Sequence, residues 1–383
     1  MKTVTDNPFC SETTFRISRF DLDQCQTFKN CNRFQSTSQR IELCKHSPVG
    51  WNVLTLFFLF FYYETSCMLR YSLPILSPTN LTPVYEAIRE HHLQPEYFQA
   101  DETRSRVFTE NEGKIGHNWW LWLFACEDSV VLFLDPGRSH DVPQTHFGKH
   151  ARGTLMVDRY SGYKAMDQVK QVVLALAFCW AHVRRDFVRV GKGYPELTPW
   201  GLQWLDQIRK LYHLNRQRLT YASASQEFAS ADRLLRNHLQ SMSEASNREL
   251  ANEKLQEPCG KALSSLRGHW SELTLFIDDA RIPLDNNASE RKIRNPAVGR
   301  KNYYGSGSEW SGRLAMMLFS IFTTLGLWKI NPLSWLTWYF QACAAAGGKA
   351  APDPASFLPW NLSKDRLAAL QLFSPSQSQP KTT

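Results

Sequence analysis

PLDNNASERKIRNPAVGRK, at residues 283–301, places one glutamate, Glu290, in a dense run of cationic side chains. Between residues 281 and 301 there are six Lys or Arg residues against two acidic residues. Such a local excess of positive charge favours a polyanionic partner. The stretch therefore predicts a basic surface around a carboxylate, and the rest of the chain is interpreted from it.

Helix signals in the same stretch predict how Glu290 is held. Asn287 is a candidate N-cap with Glu290 at the third helical position, and Pro296 predicts that the helix ends within about two turns. Two roles stay open from these residues alone. Glu290 is either a catalytic group or a capping-box residue that also pairs with Arg294 one turn later.

The composition places most of the chain in the globular class. Its 383 residues, 43% of them hydrophobic and 21% charged, suffice for two or three domains. A net charge of +8 and abundant aromatic residues suit a nucleic-acid partner, although solubility also explains such a charge. Nine cysteines without paired spacing argue against a disulfide framework and for a reducing compartment, so we expect a cytoplasmic protein.

Residues 1–77 differ from the rest and give no recognisable fold. Four cysteines at irregular spacing (Cys10, Cys25, Cys31 and Cys44) precede the apolar run WNVLTLFFLFFYY at 51–63. This run has 13 residues, fewer than the ~18–20 that a membrane helix needs. It predicts a buried or aggregation-prone segment, and no membrane association is expected.

From residue 81 onward the pattern is a mixed α/β order. Apolar periodicity predicts helices at 84–92 and 141–147, a strand at 97–101 that ends on Asp101, a hairpin of 119–125 with 130–134, and strands at 153–158 and 172–178. A helical insertion follows at about 184–278, with helical periodicity in 202–214 and 228–239. The apolar segment 314–340 predicts two packed helices, and the last ten residues a solvated tail.

Two aspartates stand where open α/β sheets place their active groups. Asp101 and Asp158 are both predicted at the carboxyl ends of strands. Together with Glu290 they could hold two divalent metals about 4 Å apart, which activate the attacking oxygen and stabilise the leaving oxygen of a phosphodiester. Hard oxygen ligands suit Mg²⁺ or Mn²⁺. Spacing alone makes this a weak assignment, because a chain with 36 acidic residues offers many such triples.

Four ordered stretches give the assignment its specificity. ADET at 100–103, VDRYSGY at 157–163, FCWAHVRRDF at 178–187 and PLDNNASERKIRNPAVGRKNYYGSGSEWSGRLA at 283–315 resemble successive motifs of the IS66 family of bacterial insertion-sequence transposases. The resemblance covers roughly residues 81–361. It implies an RNase H-like catalytic core that cuts and joins DNA ends with a DDE triad, and Asp101, Asp158 and Glu290 fall on the triad positions.

The resemblance also implies an organisation and partners. We expect an RNase H-like mixed sheet at 78–312 with its helical insertion before the last catalytic residue, a helical C-terminal segment at 313–361, and a tail at 362–383 with a disordered end. DNA is the implied partner, bound by a homo-oligomer on DNA ends with accessory transposition proteins. A catalytically silent remnant that binds DNA non-specifically, and an RNase H-like nuclease without strand transfer, are the alternatives.

The chain departs from the family pattern at three places. Arg159 stands where the family usually has Gly after the second aspartate, which places a cation beside the predicted metal site, and Arg104 stands where Pro is common. The family's zinc-binding DNA-recognition region is not recognisable in residues 1–77. We expect that segment to be a truncated N-terminal region or a non-native leader.

Two further groups of residues are candidates for the site. Cys179 and His182 have a spacing that could ligate metal, but we favour packing for Cys179 and a phosphate or core hydrogen bond for His182. The cations predicted to follow the DNA backbone, or alternatively to form solvated helix faces, are Arg184, Arg185, Arg291, Arg294, Arg300 and Lys301.

Overall fold

The computed structural model of the chain describes residues 78–111, 114–148, 151–303 and 305–371. Residues 1–77, including the cysteines and the apolar run of that segment, lie outside this set. The strands are β1 Tyr97–Asn111, β2 Lys114–Ala125, β3 Val130–Asp135, β4 Gly153–Val157 and β5 Leu174–Phe178. The first helices are α1 Pro78–His92, α2 Asp141–Phe147, α3 Ser161–Lys164 and α4 Asp167–Lys170.

The remaining helices follow β5. They are α5 Trp180–Gly193, α6 Thr198–Arg218, α7 Gln226–Leu250, α8 Glu257–Arg267, α9 Trp270–Thr274, α10 Asn287–Tyr303, α11 Glu309–Leu327, α12 Pro332–Ala345 and α13 Lys364–Leu370. The windows 202–214 and 228–239, predicted to be helical, lie inside α6 and α7. The predicted pair of C-terminal helices corresponds to α11 and α12.

The strands form one mixed sheet in the order β3-β2-β1-β4-β5. β1, β2 and β3 are antiparallel neighbours, whereas β4 is parallel to both β1 and β5. β4 and β5 are mostly apolar and the last three residues of each are buried, which suits a sheet covered by helices on both faces. This is the RNase H-like α/β architecture expected from the motifs.

The prediction that β1 ends on Asp101 is wrong. The strand continues ten residues further, to Asn111, and pairs with β2 along most of that length. The outer part of β1 has few apolar residues, so the alternation that marks a half-buried strand is missing there. Asp101 nevertheless lies just past the end of the parallel pairing with β4, which stops at Gln99.

A glycine fixes the entry into β4. Gly153 has φ +106°, and a Cβ atom at this position would lie 1.9 Å from the backbone oxygen of Glu96. The backbone N–H of the next residue, Thr154, donates to that same oxygen at 2.8 Å. Only glycine allows this close approach of the two strands that lead to the aspartates.

The free edge of the sheet at β3 is covered by α11. The side-chain oxygen of Thr324 accepts the backbone N–H of Val130 at 3.0 Å, and that of Ser320 accepts the backbone N–H of Leu132 at 2.8 Å. These bonds satisfy groups that would otherwise template another strand. Among the described residues, α11 is the one helix long and apolar enough to span a membrane, and more than half of its apolar window is buried against the protein.

Candidate active site

Asp101 and Asp158 lie at the same level on neighbouring strands. β1 and β4 pair Tyr97 with Thr154, Phe98 with Leu155 and Gln99 with Met156, a constant offset of 57 residues. Asp101 and Asp158 are separated by the same offset and follow the last pair by two residues. Because side chains at one level of adjacent strands share a face, the two carboxylates are neighbours.

Glu290 is held beside them by contacts between the start of α10 and β1. The side chain of Asn286 donates to the backbone oxygen of Ala100 at 2.7 Å, and the hydroxyl of Ser289 donates to the side-chain oxygen of Gln99 at 2.8 Å. All four of these residues are buried. The first turn of α10 is therefore tied to the residues directly before Asp101, although the two segments are far apart in sequence.

The expected capping arrangement is wrong in detail. The helix begins at Asn287, and the backbone oxygen of Asn286 accepts the N–H of Glu290, so Asn286 occupies the N-cap position without a side-chain cap and Glu290 is the fourth helical residue. The helix also continues through Pro296 to Tyr303. Pro296 is buried, and α10 packs on β1 and β2, so we attribute the continuation of the helix to tertiary packing that outweighs the hydrogen bond proline removes.

Asp101 lies in an acidic and largely buried environment. Burial raises the pKa of Asp101 to about 7, and the charges of Glu102, Glu290 and Asp158 add to the shift. The backbone N–H of Glu102 donates to Asp101 at 2.9 Å and opposes it only in part. A buried carboxyl surrounded by other carboxylates lacks a compensating cation, which is the environment expected of a metal ligand.

Glu290 has a cationic partner in the structure. Nη2 of Arg185 on α5 donates to both carboxylate oxygens of Glu290, at 2.9 and 3.1 Å. Nε2 of His182 lies 3.0 Å from Nη1 of Arg185 and 3.8 Å from Oε1 of Glu290. Burial, followed by the charge of Arg185, lowers the pKa of His182. In the structure Glu290 therefore contacts Arg185 instead of forming the capping box and the pairing with Arg294 that were predicted.

The three carboxylates have the ligand chemistry that a hard divalent cation prefers, but they are not arranged in the structure to bind one ion together. Asp101, Asp158 and Glu290 offer carboxylate oxygens, the ligands that Mg²⁺ and Mn²⁺ prefer. Within the described part of the chain, no three His, Cys, Asp or Glu side chains are placed to hold one ion together. Both carboxylate oxygens of Glu290 instead accept hydrogen bonds from Arg185.

Glu102 is a carboxylate of the site region that the sequence did not single out. Its oxygen Oε1 accepts two hydrogen bonds from Arg138, at 3.0 and 2.6 Å, and Oε2 accepts the hydroxyl of Tyr163 at 2.6 Å. Burial raises the pKa of Glu102. Both oxygens are already used, so Glu102 braces the strand beside Asp101. Successive side chains of a strand point to opposite faces, so Asp101 and Glu102 point to opposite sides of β1. This alternation is the sequence signal that could have distinguished their roles.

Arg159, the cation expected beside the metal site, is paired with a carboxylate in the structure. Its guanidinium pairs with Asp186 at 2.5 Å and donates to the hydroxyl of Ser265 at 2.6 Å. The acidic partner is part of the motif at 178–187, one helical residue after Arg185. The positive charge of Arg159 is therefore balanced by a carboxylate of α5.

Cys179 and His182 do not form a metal-binding pair with other His, Cys, Asp or Glu residues in the described part of the chain. The buried thiol of Cys179 accepts the backbone N–H of Asn286 at 3.2 Å, and burial raises its pKa. Nδ1 of His182 is buried without a hydrogen-bond partner, while Nε2 contacts Arg185. Cys179 thus connects the start of α5 to the start of α10.

The predicted cations lie on two helices that flank the carboxylates. Arg184 and Arg185 are exposed on α5, and Arg291 and Arg294 are exposed on α10. Arg300 and Lys301 belong to the last turn of α10, and their side chains lie outside the described set.

The fold and the acidic site define the class of protein. A mixed sheet in the order β3-β2-β1-β4-β5, with two aspartates at one level and a glutamate on a following helix, is an RNase H-like α/β domain. Comparison with known families gives a more particular assignment. Residues 74–314 match the model described as "Transposase IS66 family", and the chain belongs to this family.

Relatives occur in Sinorhizobium fredii (strain NBRC 101917 / NGR234). Uncharacterized protein y4hP is 25% identical over 314 residues, which is 76% of this chain and 55% of the relative. Uncharacterized protein y4qI is 28% identical over 285 residues, or 70% of this chain and 51% of the relative. Uncharacterized protein y4jD is 28% identical over 222 residues, or 56% of this chain and 42% of the relative. The chain thus spans about half the length of these relatives.

Proposed function

We propose that this protein is a DDE-type DNA transposase that cleaves DNA at the ends of an insertion sequence and joins the freed 3′-hydroxyl to target DNA. Membership of the IS66 transposase family supports the class of reaction. The observation that carries the residue assignment is the common level of Asp101 and Asp158 on β1 and β4, with the charge of Glu290 close enough to raise the pKa of Asp101.

Each carboxylate has a separate support for its role. Asp101 is positioned by β1, Asp158 by the end of β4, where it accepts the backbone N–H of Tyr160 at 2.8 Å, and Glu290 by the first turn of α10. Together they would hold Mg²⁺ or Mn²⁺, which when bound supply activation of the attacking oxygen and stabilisation of the leaving oxygen.

Arg185, Arg184, Arg291 and Arg294 provide cations around this position that fit the phosphates next to the scissile bond. Arg300 and Lys301 are proposed to extend the same track on sequence grounds. Arg185 pairs with Glu290 in the structure, and in this scheme its guanidinium would also be available to a DNA phosphate. We also propose that the protein acts as a homo-oligomer on paired DNA ends. It would act with accessory transposition proteins, in the cytoplasm.

One observation favours a second function. The Arg185 contact with both oxygens of Glu290 competes with metal binding, as expected of a silent remnant that binds DNA without cutting it. An RNase H-like nuclease without strand transfer is a third outcome of the same test.

The test is a strand-transfer assay with Mg²⁺ or Mn²⁺ on labelled duplexes taken from the DNA that flanks the coding sequence. A transposase gives joined products that disappear with EDTA. Cleavage without joining identifies a nuclease, and binding without cleavage identifies the remnant. Either of these two results would overturn the proposed function.

A further inference from the structure

The outer part of β1 and β2 forms a two-stranded ribbon, defined here as residues 104–108 and 118–120, in which only Trp120 still pairs with β3. β4 pairs with β1 only at residues 97–99, and β3 pairs with β2 only at residues 120–125. Within the ribbon, Arg104 is opposite Trp120 and Arg106 is opposite Asn118. Because alternate residues share a face, Arg104, Arg106 and Phe108 lie along one side of it, and all three are exposed.

Arginine and aromatic side chains alternate at the base of this ribbon. The guanidinium of Arg104 lies 5.6 Å from the ring centre of Trp120, and that of Arg138 lies 4.5 Å from the same ring. Arg138 also lies 3.9 Å from the ring centre of Tyr160, whose hydroxyl donates to the backbone oxygen of Arg138. Such cation–π contacts order the arginines they include.

The two arginines that contact Trp120, Arg138 and Arg104, differ in whether a carboxylate balances their charge. Arg138 is neutralised by the buried carboxylate of Glu102, with which it forms a 2.6 Å ion pair. Arg104 and Arg106 form no ion pair with any side chain that the structure describes, and both are exposed. Arg138 therefore serves as an anchor, and Arg104 and Arg106 present positive charge to solvent.

The ribbon is also braced from the segment that follows α10. The backbone oxygen of Ser306 accepts the N–H of Phe108 at 2.8 Å, and the N–H of Ser306 donates to the backbone oxygen of Arg106 at 2.9 Å. Gly305 has φ +150°, and a Cβ there would lie 2.6 Å from the oxygen of Arg106. The ribbon is thus held to the same connection that ends the cationic stretch 281–301.

We propose that this ribbon is a second DNA-binding surface, in which Arg104 and Arg106 contact backbone phosphates of duplex DNA. The inference rests on the proposed function for the identity of the partner, and on the ribbon's own geometry for its location. Arg104 is three residues along β1 from Asp101, about 10 Å at the rise of a strand. By the alternation of side chains, Arg104 and Arg106 lie on the side of β1 that carries Glu102, opposite to Asp101, so a duplex bound here follows the other side of the ribbon from Asp101, where phosphate contacts hold it without selecting sequence.

The test compares two charge-matched double variants of the full chain. One is Arg104→Gln with Arg106→Gln. The control is Arg216→Gln with Arg233→Gln, two exposed arginines of α6 and α7 that form no ion pair with a described side chain. Dissociation constants for a fluorescent duplex of random sequence are measured in EDTA over a salt series, with melting temperatures as a check of folding.

Loss of two phosphate contacts makes the negative slope of log K against log salt shallower by about 1.8. It also weakens binding about tenfold or more near 0.1 M salt. The control variant stays within about twofold of the parent, since charges farther than a Debye length from the DNA are screened. If both double variants behave alike, the ribbon is not a DNA-binding surface.

Because divalent metal is absent, this result is independent of cleavage. If the parent protein binds DNA but never cuts it, the proposed catalysis is contradicted and the proposed DNA-binding role of the ribbon is not. If the parent cuts and joins DNA and the ribbon variant binds DNA as tightly as the parent, only the DNA-binding role of the ribbon is contradicted. A parent that does not bind the duplex overturns both.

Discussion

Arg185 and Glu290 are 105 residues apart in the chain, yet a single guanidinium nitrogen of Arg185 donates to both carboxylate oxygens of Glu290, at 2.9 and 3.1 Å. This pair connects α5, the helix after β5, to the first turn of α10. It places a protein cation on a carboxylate that the catalytic proposal assigns to metal. Metal binding at Glu290 therefore competes with this ion pair for the same carboxylate.

Removing the competing guanidinium strengthens metal binding. We expect Arg185→Gln to bind Mn²⁺ two- to fivefold more tightly than the parent in the absence of DNA, because a half-exposed ion pair contributes up to about 1 kcal/mol. Isothermal titration gives the affinity directly. Arg189→Gln is the matched control, because Arg189 is on the same helix but pairs with Asp186. Equal or weaker Mn²⁺ binding by Arg185→Gln contradicts the competition.

His146 gives a prediction for pH dependence. Both its ring nitrogens are buried without a hydrogen-bond partner, its ring stacks on Phe124 at 4.1 Å, and burial lowers its pKa well below the usual value. The unfolded chain takes up a proton below about pH 6.5 that folded His146 does not. Its contribution to stability is therefore present above pH 6.5 and falls as the pH drops, by up to about 1.4 kcal/mol per unit.

The substitution His146→Phe removes this effect and keeps a ring on Phe124. His146 also borders a solvent-open pocket of about 380 Å³. Urea unfolding at pH 7.5, 6 and 5 measures the outcome. We expect the variant to match or exceed the parent at pH 7.5 and to lose less stability on acidification. Some pH dependence remains, because burial also lowers the pKa of neighbouring His92, to about 3. Parallel pH profiles for both proteins would show that His146 does not titrate as described.

Two glycine substitutions separate backbone strain from helix propensity. Gly153→Ala places a Cβ on the backbone oxygen of Glu96, so we expect the free energy of unfolding to fall by at least about 2 kcal/mol. Gly326→Ala, at an exposed position of α11 with no atom within 4 Å of the new Cβ, is expected to gain about 0.5–1 kcal/mol. Denaturant unfolding compares the two. A neutral Gly153→Ala would mean that β1 and β4 approach less closely than described, which would also loosen the alignment of Asp101 with Asp158.

The fold class was predictable because the buried strands and helices have regular apolar periodicity. The hairpin of β2 and β3, helix α2 and the helical windows in α6 and α7 were located from that signal. The outer half of β1 was missed because a ribbon exposed on one face carries arginines where a core-facing strand has apolar residues. The end of α10 was missed because packing of Ile293 and Pro296 on the sheet maintains a helix that Pro296 alone would end.

The candidate site residues could be proposed from the sequence, but their contacts could not. The offset between Asp101 and Asp158 matches the strand register, a fact that becomes informative only when the strands are known to be parallel neighbours. Sequence could not indicate that Arg185 contacts Glu290, or that Asp186 neutralises Arg159, because both are tertiary pairings between separate elements. Local signals predicted a pairing of Glu290 with Arg294 instead, since helix neighbours are all that a single stretch can show.

The central claim is that Asp101, Asp158 and Glu290 act together, and neutralising them one at a time tests it most directly. Mn²⁺-dependent cleavage of labelled DNA is measured for Asp101→Asn, Asp158→Asn and Glu290→Gln, beside Glu102→Gln. The proposal predicts that each of the first three loses at least about a hundredfold in rate with its melting temperature nearly unchanged, because neutralising one of several clustered carboxylates removes repulsion. Glu102→Gln keeps most of the activity, because Glu102 binds Arg138 and Tyr163. Full activity of Glu290→Gln, or loss of activity in Glu102→Gln alone, would contradict the triad.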